Sequence, residues 1–364
     1  MANGKTRLSS EEFQALLVTR GNFRDVRRFC LIGGGDLMCD AAEYLVRHGY
    51  GVTVVVAPRH VDEVLPILGG TLRDRLRMAG ASTYCVDDIN EMESWPVSAI
   101  CGPDVMALCF GPAWIFSPPV VGAFGQGMIN VNLIPVPKYL GGAHYTWQIL
   151  NGDRSGGCYL QRITGQIDRG DILYSKKFEI PNTARIPRDY ALANYEQGRG
   201  CIAEFLGAIE KKLTLAPVPY AEIEQDRLYF PRLLTVEQAY INWSWSAIQI
   251  ERFCNAFDEP YDGAATFLGD KMIRVKDVVL VPDFVDFHPF AAGLIVSRAN
   301  AAIIVAAAGG ALRIGAAKYA EGNDASSALR EGKRLTTPND LLIKAMRYNA
   351  RFTSKGLATD LKGI

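Results

Sequence analysis

The stretch Arg28-Phe-Cys-Leu-Ile-Gly-Gly-Gly35 decides the fold. A short apolar run, long enough for a buried strand, stops on three glycines. Beyond them Leu37, Ala41 and Leu45 recur at helical spacing until Gly49 closes the segment. The order is therefore strand, glycine turn, helix. Residues 52–56 read as a second buried strand, a polar segment carries Leu65, Leu72 and Leu76 at helical spacing, and a third strand is expected near 82–86. Such alternation predicts a parallel, doubly wound sheet, with its chemistry at the carboxyl ends of the strands. Residues 105–110 and 128–131 add two strands, separated by the loop Gly111-Pro-Ala-Trp-Ile115 and a short proline-started helix.

Residues 146–150 read as a helix, 158–164 and 172–180 as strands, and 188–213 as a long helix. The next stretch, 215–232, holds three prolines and little periodicity, so a linker is expected there. A short helix over 246–257 then precedes strand-sized runs at 264–268, 272–280, 293–296, 302–307 and 311–314, parted by turn residues such as Gly269-Asp270 and Gly309-Gly310. Short strands at that spacing imply a small β-barrel. The expected layout is an N-terminal extension (1–27), an α/β domain with a mostly parallel sheet (28–214), a linker (215–235), a barrel domain (236–335) and a tail (336–364). At 364 residues the chain exceeds the size at which single cores stop growing, which agrees with two domains.

Thirty-nine basic residues balance 39 acidic ones, and no block of like charge is long enough for a nucleic-acid arm or a polybasic membrane anchor. The first 27 residues are polar and charged (Glu11, Glu12, Arg20, Arg24), unlike a cleavable signal peptide. The longest uncharged stretch, 105–137, is broken by Pro112, Pro118 and Pro119, so no continuous membrane helix is expected there. A soluble, cytoplasmic protein follows from these features. The eight cysteines are scattered, with no Cys-x-x-Cys pair and no neighbouring His cluster. They are expected to be reduced core residues, and no metal site is expected.

Two segments concentrate the polar signals: Ile129-Asn-Val-Asn-Leu-Ile-Pro-Val-Pro-Lys-Tyr-Leu-Gly-Gly-Ala-His144 and Ile163-Thr-Gly-Gln-Ile-Asp-Arg-Gly-Asp-Ile172. A polar residue ending a buried strand, a Pro/Gly-shaped loop and a carboxylate in a second tight turn would converge at the carboxyl edge of the sheet. The pair Asp168 and Asp171 lacks a His or Glu companion and does not read as a metal site. The cluster Trp243, Trp245, Phe253 and Phe257 reads as core beside the barrel rather than a base-stacking surface.

These segments resemble the folate-dependent formyltransferase family, which includes methionyl-tRNA formyltransferase, glycinamide ribonucleotide transformylase and the sugar N-formyltransferases. That family shares an Asn-Val-His strand end, a Leu-Pro-x-x-x-Gly loop and a later Asp-x-Gly turn. Here the Asn is Asn130, the loop is Pro137-Lys-Tyr-Leu-Gly141 and the Asp is Asp168. Tyr229-Phe-Pro-Arg-Leu233, Ile241-Asn-Trp243 and Ile250-Glu-Arg-Phe253 follow the order seen in the OB-like C-terminal domain of methionyl-tRNA and aminosugar formyltransferases. The resemblance implies a Rossmann-like catalytic domain, an appended OB-like barrel and 10-formyltetrahydrofolate as formyl donor. It also implies catalytic roles for Asn130, as donor to the developing oxyanion, and for Asp168, as base directly or through water. The loop and turn residues Phe110, Gly111, Ala113, Trp114, Gln166 and Ile167 would hold the folate, and Pro137 and Gly141 would line the acceptor side. Gly33, Gly34 and Gly35 could present backbone N–H groups to an acceptor phosphate or could simply form a tight turn.

One departure stands out. The family His two positions after the Asn is Asn132 here, an amide that hydrogen-bonds but carries no proton near neutral pH. Either Asp168 and water move the proton, or His144 takes over part of that role. Ile134 and Leu140 also stand where relatives usually keep Ser and Arg. Relatives acting on initiator tRNA carry a lysine-rich loop after the second strand. Residues 58–80 offer only Arg59, Arg73, Arg75 and Arg77, which favours a small amine, such as an aminosugar nucleotide or an amino-acid-derived intermediate, over tRNA. The alternatives are a methionyl-tRNA formyltransferase, a repurposed acyl or one-carbon transferase, and a non-catalytic folate- or metabolite-binding protein. The sequence leaves homo-oligomerisation open.

Overall fold

The computed structural model describes residues 23, 25–94, 96–281, 284–299, 302–350, 352–353 and 356–357. The charged positions Glu11, Glu12, Arg20 and Arg24 of the N-terminal extension, and residues 358–364 of the tail, lie outside them.

Seven strands build the first sheet: β1 (Arg28–Gly33), β2 (Gly51–Val56), β3 (Ser82–Cys85), β4 (Val105–Phe110), β5 (Met128–Asn132), β6 (Ser155–Arg162) and β7 (Ile172–Glu179), in the order β3-β2-β1-β4-β5-β6-β7. The first five run parallel; β5–β6 and β6–β7 are antiparallel. The sheet is thus mostly parallel, and its order reverses direction between β1 and β4, where open α/β sheets leave a crevice. Residues of β4 are buried throughout, as expected of a strand covered on both faces. Helices α1 (Asp36–Arg47) and α4 (Pro187–Glu210) cover one face, with Leu45, Ile202 and Phe205 in the same core as Leu31, Val54 and Leu108. Between them in sequence lie α2 (Leu72–Ala79) and α3 (His144–Asn151).

Leu65 lies outside the helix expected from its spacing with Leu72 and Leu76. Pro66 and the positive-φ pair Gly69-Gly70 turn the chain, the Leu65 N–H bonds the Gly70 carbonyl, and α2 starts afresh on its Thr71 cap. Leu65 is still buried, since the turn packs it into the core that helical spacing suggested.

A second, antiparallel sheet follows: β8 (Ala264–Leu268), β9 (Lys271–Val281), β10 (Ile295–Ala299), β11 (Ala302–Ala307), β12 (Gly310–Tyr319) and β13 (Leu335–Thr336), in the order β10-β11-β12-β9-β8-β13. Backbone bonds from Ile295 N to Lys333 O (2.8 Å) and from Leu335 N to Gly293 O (2.8 Å) join the two ends, so the sheet curls into a barrel. Helix α5 (Ala247–Ala256) packs on it, capped reciprocally by Ser246 and Gln249. Trp243 is buried and its indole N–H donates to Thr266 Oγ1 (2.9 Å), while Trp245, Phe253 and Phe257 pack in sequence beside it. Ile149, Ala184 and Tyr190 from the first part share this core. No described helix is long and apolar enough to cross a membrane.

The stretch expected as a linker packs against the first sheet's loops. Residues Tyr229–Phe230 pair in parallel with Leu140–Gly141, Phe230 stacks on Tyr139 (5.1 Å between centroids, 15°), and the Trp147 indole donates to the Pro231 carbonyl (2.8 Å). Proline content disguised it, because a two-residue strand carries no period.

Candidate active site

Strand alternation sorts the end of β5. Asn130 and Asn132 share one face; Val131 and Leu133 point to the other. In the antiparallel register Asn130 sits opposite Gln161 of β6, a polar residue only 1% exposed. A buried amide must find partners, and a chain of three amides results. Gln161 Nε2 donates to the Gly170 carbonyl (2.9 Å), Asn132 Nδ2 donates to Gln161 Oε1 (3.1 Å), and Asn130 Nδ2 donates to Asn132 Oδ1 (2.9 Å). The Gly170 carbonyl can only accept, so it fixes the direction of the whole chain. Asn130 keeps a second N–H for a ligand, and an amide at the donor end of such a chain is polarised by those behind it.

Gly170 belongs to the turn that carries Asp168, which joins that carboxylate to the ladder through the backbone. Asp168 has φ +54°, a left-handed conformation that Asp tolerates better than most residues. A side chain at Gly170 would collide with the Arg162 carbonyl, so glycine there lets the turn close on β6. Burial pushes the half-buried Asp168 carboxyl above the ordinary carboxylate range, against the opposing pull of the Arg227 guanidinium. The neighbouring Arg169 pairs with Glu224 (2.8 Å), a second tie between this turn and the 220–232 segment.

His144 begins α3 beside the segment that carries Arg232. Burial and the Arg232 charge push its imidazole down to about 4. That shift favours the neutral imidazole near neutral pH. Nor does it cap its helix, since Ala143 holds the cap position with no side-chain bond.

The other expected residues fall into three places. Ala113 and Trp114 pack with Ile163 in the core on the other sheet face from α1; the Trp114 indole donates to the Asp87 carbonyl (3.0 Å), so its ring is structural and only its loop backbone remains for a ligand. Gln166 and Ile167 sit at the exposed tip of the Asp168 turn, with Ile167 62% exposed. Gly141, φ +104°, lies where a Cβ would strike the Phe230 carbonyl, and the Pro137 carbonyl accepts from Leu228 N (3.2 Å). Both therefore hold the 228–230 segment against the site.

Phe110 and Gly111 line a cavity of about 360 Å³ at the β1–β4 crevice, together with Gly34, Gly35, Val131 and Leu133. Gly33 is glycine because a Cβ would meet the Phe110 carbonyl. Two N–H groups of the glycine turn, which could meet a phosphate or form a tight turn, have partners within the chain. Gly34 N donates to Phe110 O (3.1 Å), and Gly35 N donates to Glu63 Oε1 (2.6 Å). A carboxylate of the chain already stands where a phosphate was considered.

Sequence reasoning missed Gln161, Glu63, Arg227 and Arg232. The first had a signal, a lone amide in an apolar strand; the others lie in stretches without period and meet the site only through tertiary packing.

Comparison with known families adds to this geometry. The formyl transferase family model matches residues 92–189, and the model of the formyl transferase C-terminal domain matches 233–329, together more than half the chain. The first window contains Asn130, Asn132, Gln161 and Asp168, whereas the glycine turn and Glu63 lie before it. Among solved structures, WlaRD, a sugar 3N-formyl transferase determined in the presence of dTDP and 5-N-formyl-THF, superposes with a TM-score of 0.59 at 15% identity, covering 81% of this chain and 98% of that one. An N-formyltransferase from Helicobacter canadensis in complex with folinic acid and dTDP-3-aminofucose gives 0.59 at 16% identity, over 79% and 98%. HypX from Aquifex aeolicus in complex with tetrahydrofolic acid gives 0.51 at 15%, over 80% of this chain and 44% of that one. At such identities the likeness is one of fold, but the matched models name the lineage directly: this chain belongs to the formyl transferase family.

Proposed function

We propose that the protein transfers the formyl group of 10-formyltetrahydrofolate to an amine of a small-molecule acceptor. The observation that carries this reading is the amide ladder that directs the Asn130 N–H₂ and ties it to the turn of Asp168. Asn130 donates to the carbonyl oxygen as negative charge grows on it during attack by the acceptor nitrogen. Asp168, with its raised pKa, takes the proton that the nitrogen releases, directly or through water, and tetrahydrofolate leaves as the other product. With Asn132 an amide, Asp168 is the carboxylate of this constellation and accepts that proton.

The donor fits the residues around this edge. The 111–115 loop and the 163–168 turn adjoin through Ala113, Trp114 and Ile163, and Ile115 and Ile167 present exposed apolar side chains of the kind a flat ring system covers. The folate would supply the activated formyl carbon, held by the backbone of Phe110 to Trp114 and by the turn of Gln166 and Ile167. Two relatives in fold were solved with a formyl-folate and with dTDP or a dTDP-aminosugar, which supports a small aminosugar-type acceptor over tRNA. A cytoplasmic location and the division at 215–235 belong to the same reading.

Purified protein with 10-formyltetrahydrofolate should release tetrahydrofolate only when an amine acceptor is added, and Asp168→Asn and Asn130→Ala should abolish that release. Efficient formylation of initiator methionyl-tRNA with no turnover of small amines overturns the acceptor class. Folate binding with no turnover on any amine, unaltered by Asp168→Asn, overturns catalysis itself.

A further inference from the structure

The cavity at the β1–β4 crevice carries an arrangement that formyl transfer alone does not explain. Arg59 Nε donates to His60 Nε2 (3.0 Å), which leaves His60 Nδ1 to donate to Glu63 Oε2 (2.8 Å). The other carboxylate oxygen, Oε1, accepts from Gly35 N (2.6 Å) at the start of the 12-residue helix α1. Glu63 is therefore held from two sides with its charge against the positive end of a helix, the place where an external anion would otherwise bind. Gly34 makes room for it, since a Cβ there would collide with Glu63 Oε1. The nearby Asp36 is buried and accepts from Ile67 N (3.1 Å) and Leu68 N (2.7 Å), and no Lys or Arg is among the residues lining the cavity.

We propose that Glu63 is the built-in anion of the glycine turn and a specificity-determining residue: it excludes acceptors anchored there by a phosphate and admits an uncharged or cationic polar end of the acceptor into this cavity. An entering phosphate would have to displace the carboxylate from Gly35 and would meet Asp36 with no cation in the lining to offset the repulsion. An amine or hydroxyl meets the opposite field. A diphosphate on the acceptor then lies outside this crevice. The acceptor half of the proposal rests on the formyl-transfer reading, whereas the anion half is read without any turnover.

Thermal unfolding in rising inorganic phosphate, with ionic strength held constant by NaCl, tests it on the full chain. Glu63→Ala frees the Gly35 N–H and should gain a rise in Tm that grows with the logarithm of phosphate above its Kd, about 3–5 °C at ten times that Kd. Wild type should stay flat. An equal rise in wild type overturns the proposal, as does a folded Glu63→Ala protein that does not respond. Should Glu63→Ala fail to fold, Glu63→Gln decides, because the isosteric amide removes the charge and leaves at Gly35 only a neutral bond that phosphate can displace: a phosphate-dependent rise in Tm supports the proposal and a flat response overturns it. Absence of formyl transfer with the phosphate response intact removes the functional reading alone.

Discussion

Replacing Gln161 by leucine tests whether the amide ladder organises the site. The side chain is 1% exposed and makes two bonds, to the Gly170 carbonyl and from Asn132 Nδ2. Leucine is similar in volume, so the cavity cost is small and the effect is one of hydrogen bonds. Two polar groups lose their partner, one of them the buried Gly170 carbonyl, at about 1–3 kcal/mol for each group left unsatisfied. Discounting Asn132, which is half-buried and can reach water, leaves a loss of about 1–3 kcal/mol. With a urea m-value of about 2 kcal/mol/M for a domain of this size, the midpoint should fall by about 0.5–1.5 M. Catalysis should suffer separately. With Asn132 free to rotate, Asn130 loses its fixed direction, and kcat should drop about 10–100-fold with little change in folate KM. The reasoning fails if Gln161→Leu unfolds within about 0.5 kcal/mol of wild type, or if KM rises while kcat holds.

The remaining predictions concern three positions. Asp168→Asn should lower turnover by about 10²–10⁴-fold. It should leave the fold as stable as wild type or more so, because asparagine accepts the left-handed backbone and burial disfavours the ionised carboxyl. A carboxyl pKa raised by folding means that its ionisation costs stability as pH rises from the ordinary carboxylate value to the raised one; catalysis should fade as pH drops through the raised pKa, and Arg227→Gln should move that limb further up. For His144 the sign is reversed: its pKa falls from 6.5 to about 4 on folding, so the folded protein binds fewer protons and loses stability as pH falls across that window. His144→Gln should flatten acid denaturation there without shifting the neutral part of the rate profile; a lost limb near pH 6.5 would assign His144 a proton-transfer role after all. Gly141→Ala, at φ +104° against the Phe230 carbonyl, should cost about 2–4 kcal/mol and open the 220–232 segment to limited proteolysis well before global unfolding. Protection equal to wild type would show that this pairing does not hold the segment down.

Much of the chain announces itself in one dimension. Apolar runs such as Val105–Phe110 need no partner to be recognised as buried strands. Asn130 and Asp168 are legible for the same reason, as polar residues at the ends of periodic elements. Periodicity also locates the short barrel strands, because a half-buried sheet imposes its own alternation.

Other properties arise only where distant segments meet. Gln161 becomes part of the site through an antiparallel register that sets it opposite Asn130; Glu63 becomes an anion site through a turn 28 residues beyond Gly35. His144 looks like an exchangeable proton donor in the sequence and is neutral in the fold, because desolvation and the Arg232 charge are set by packing rather than by residue type. Hydrophobic burial is additive along a strand and so is written in the chain, whereas hydrogen-bond direction, charge state and exclusion depend on what lies across a few ångströms of space, and those neighbours are chosen by the tertiary structure.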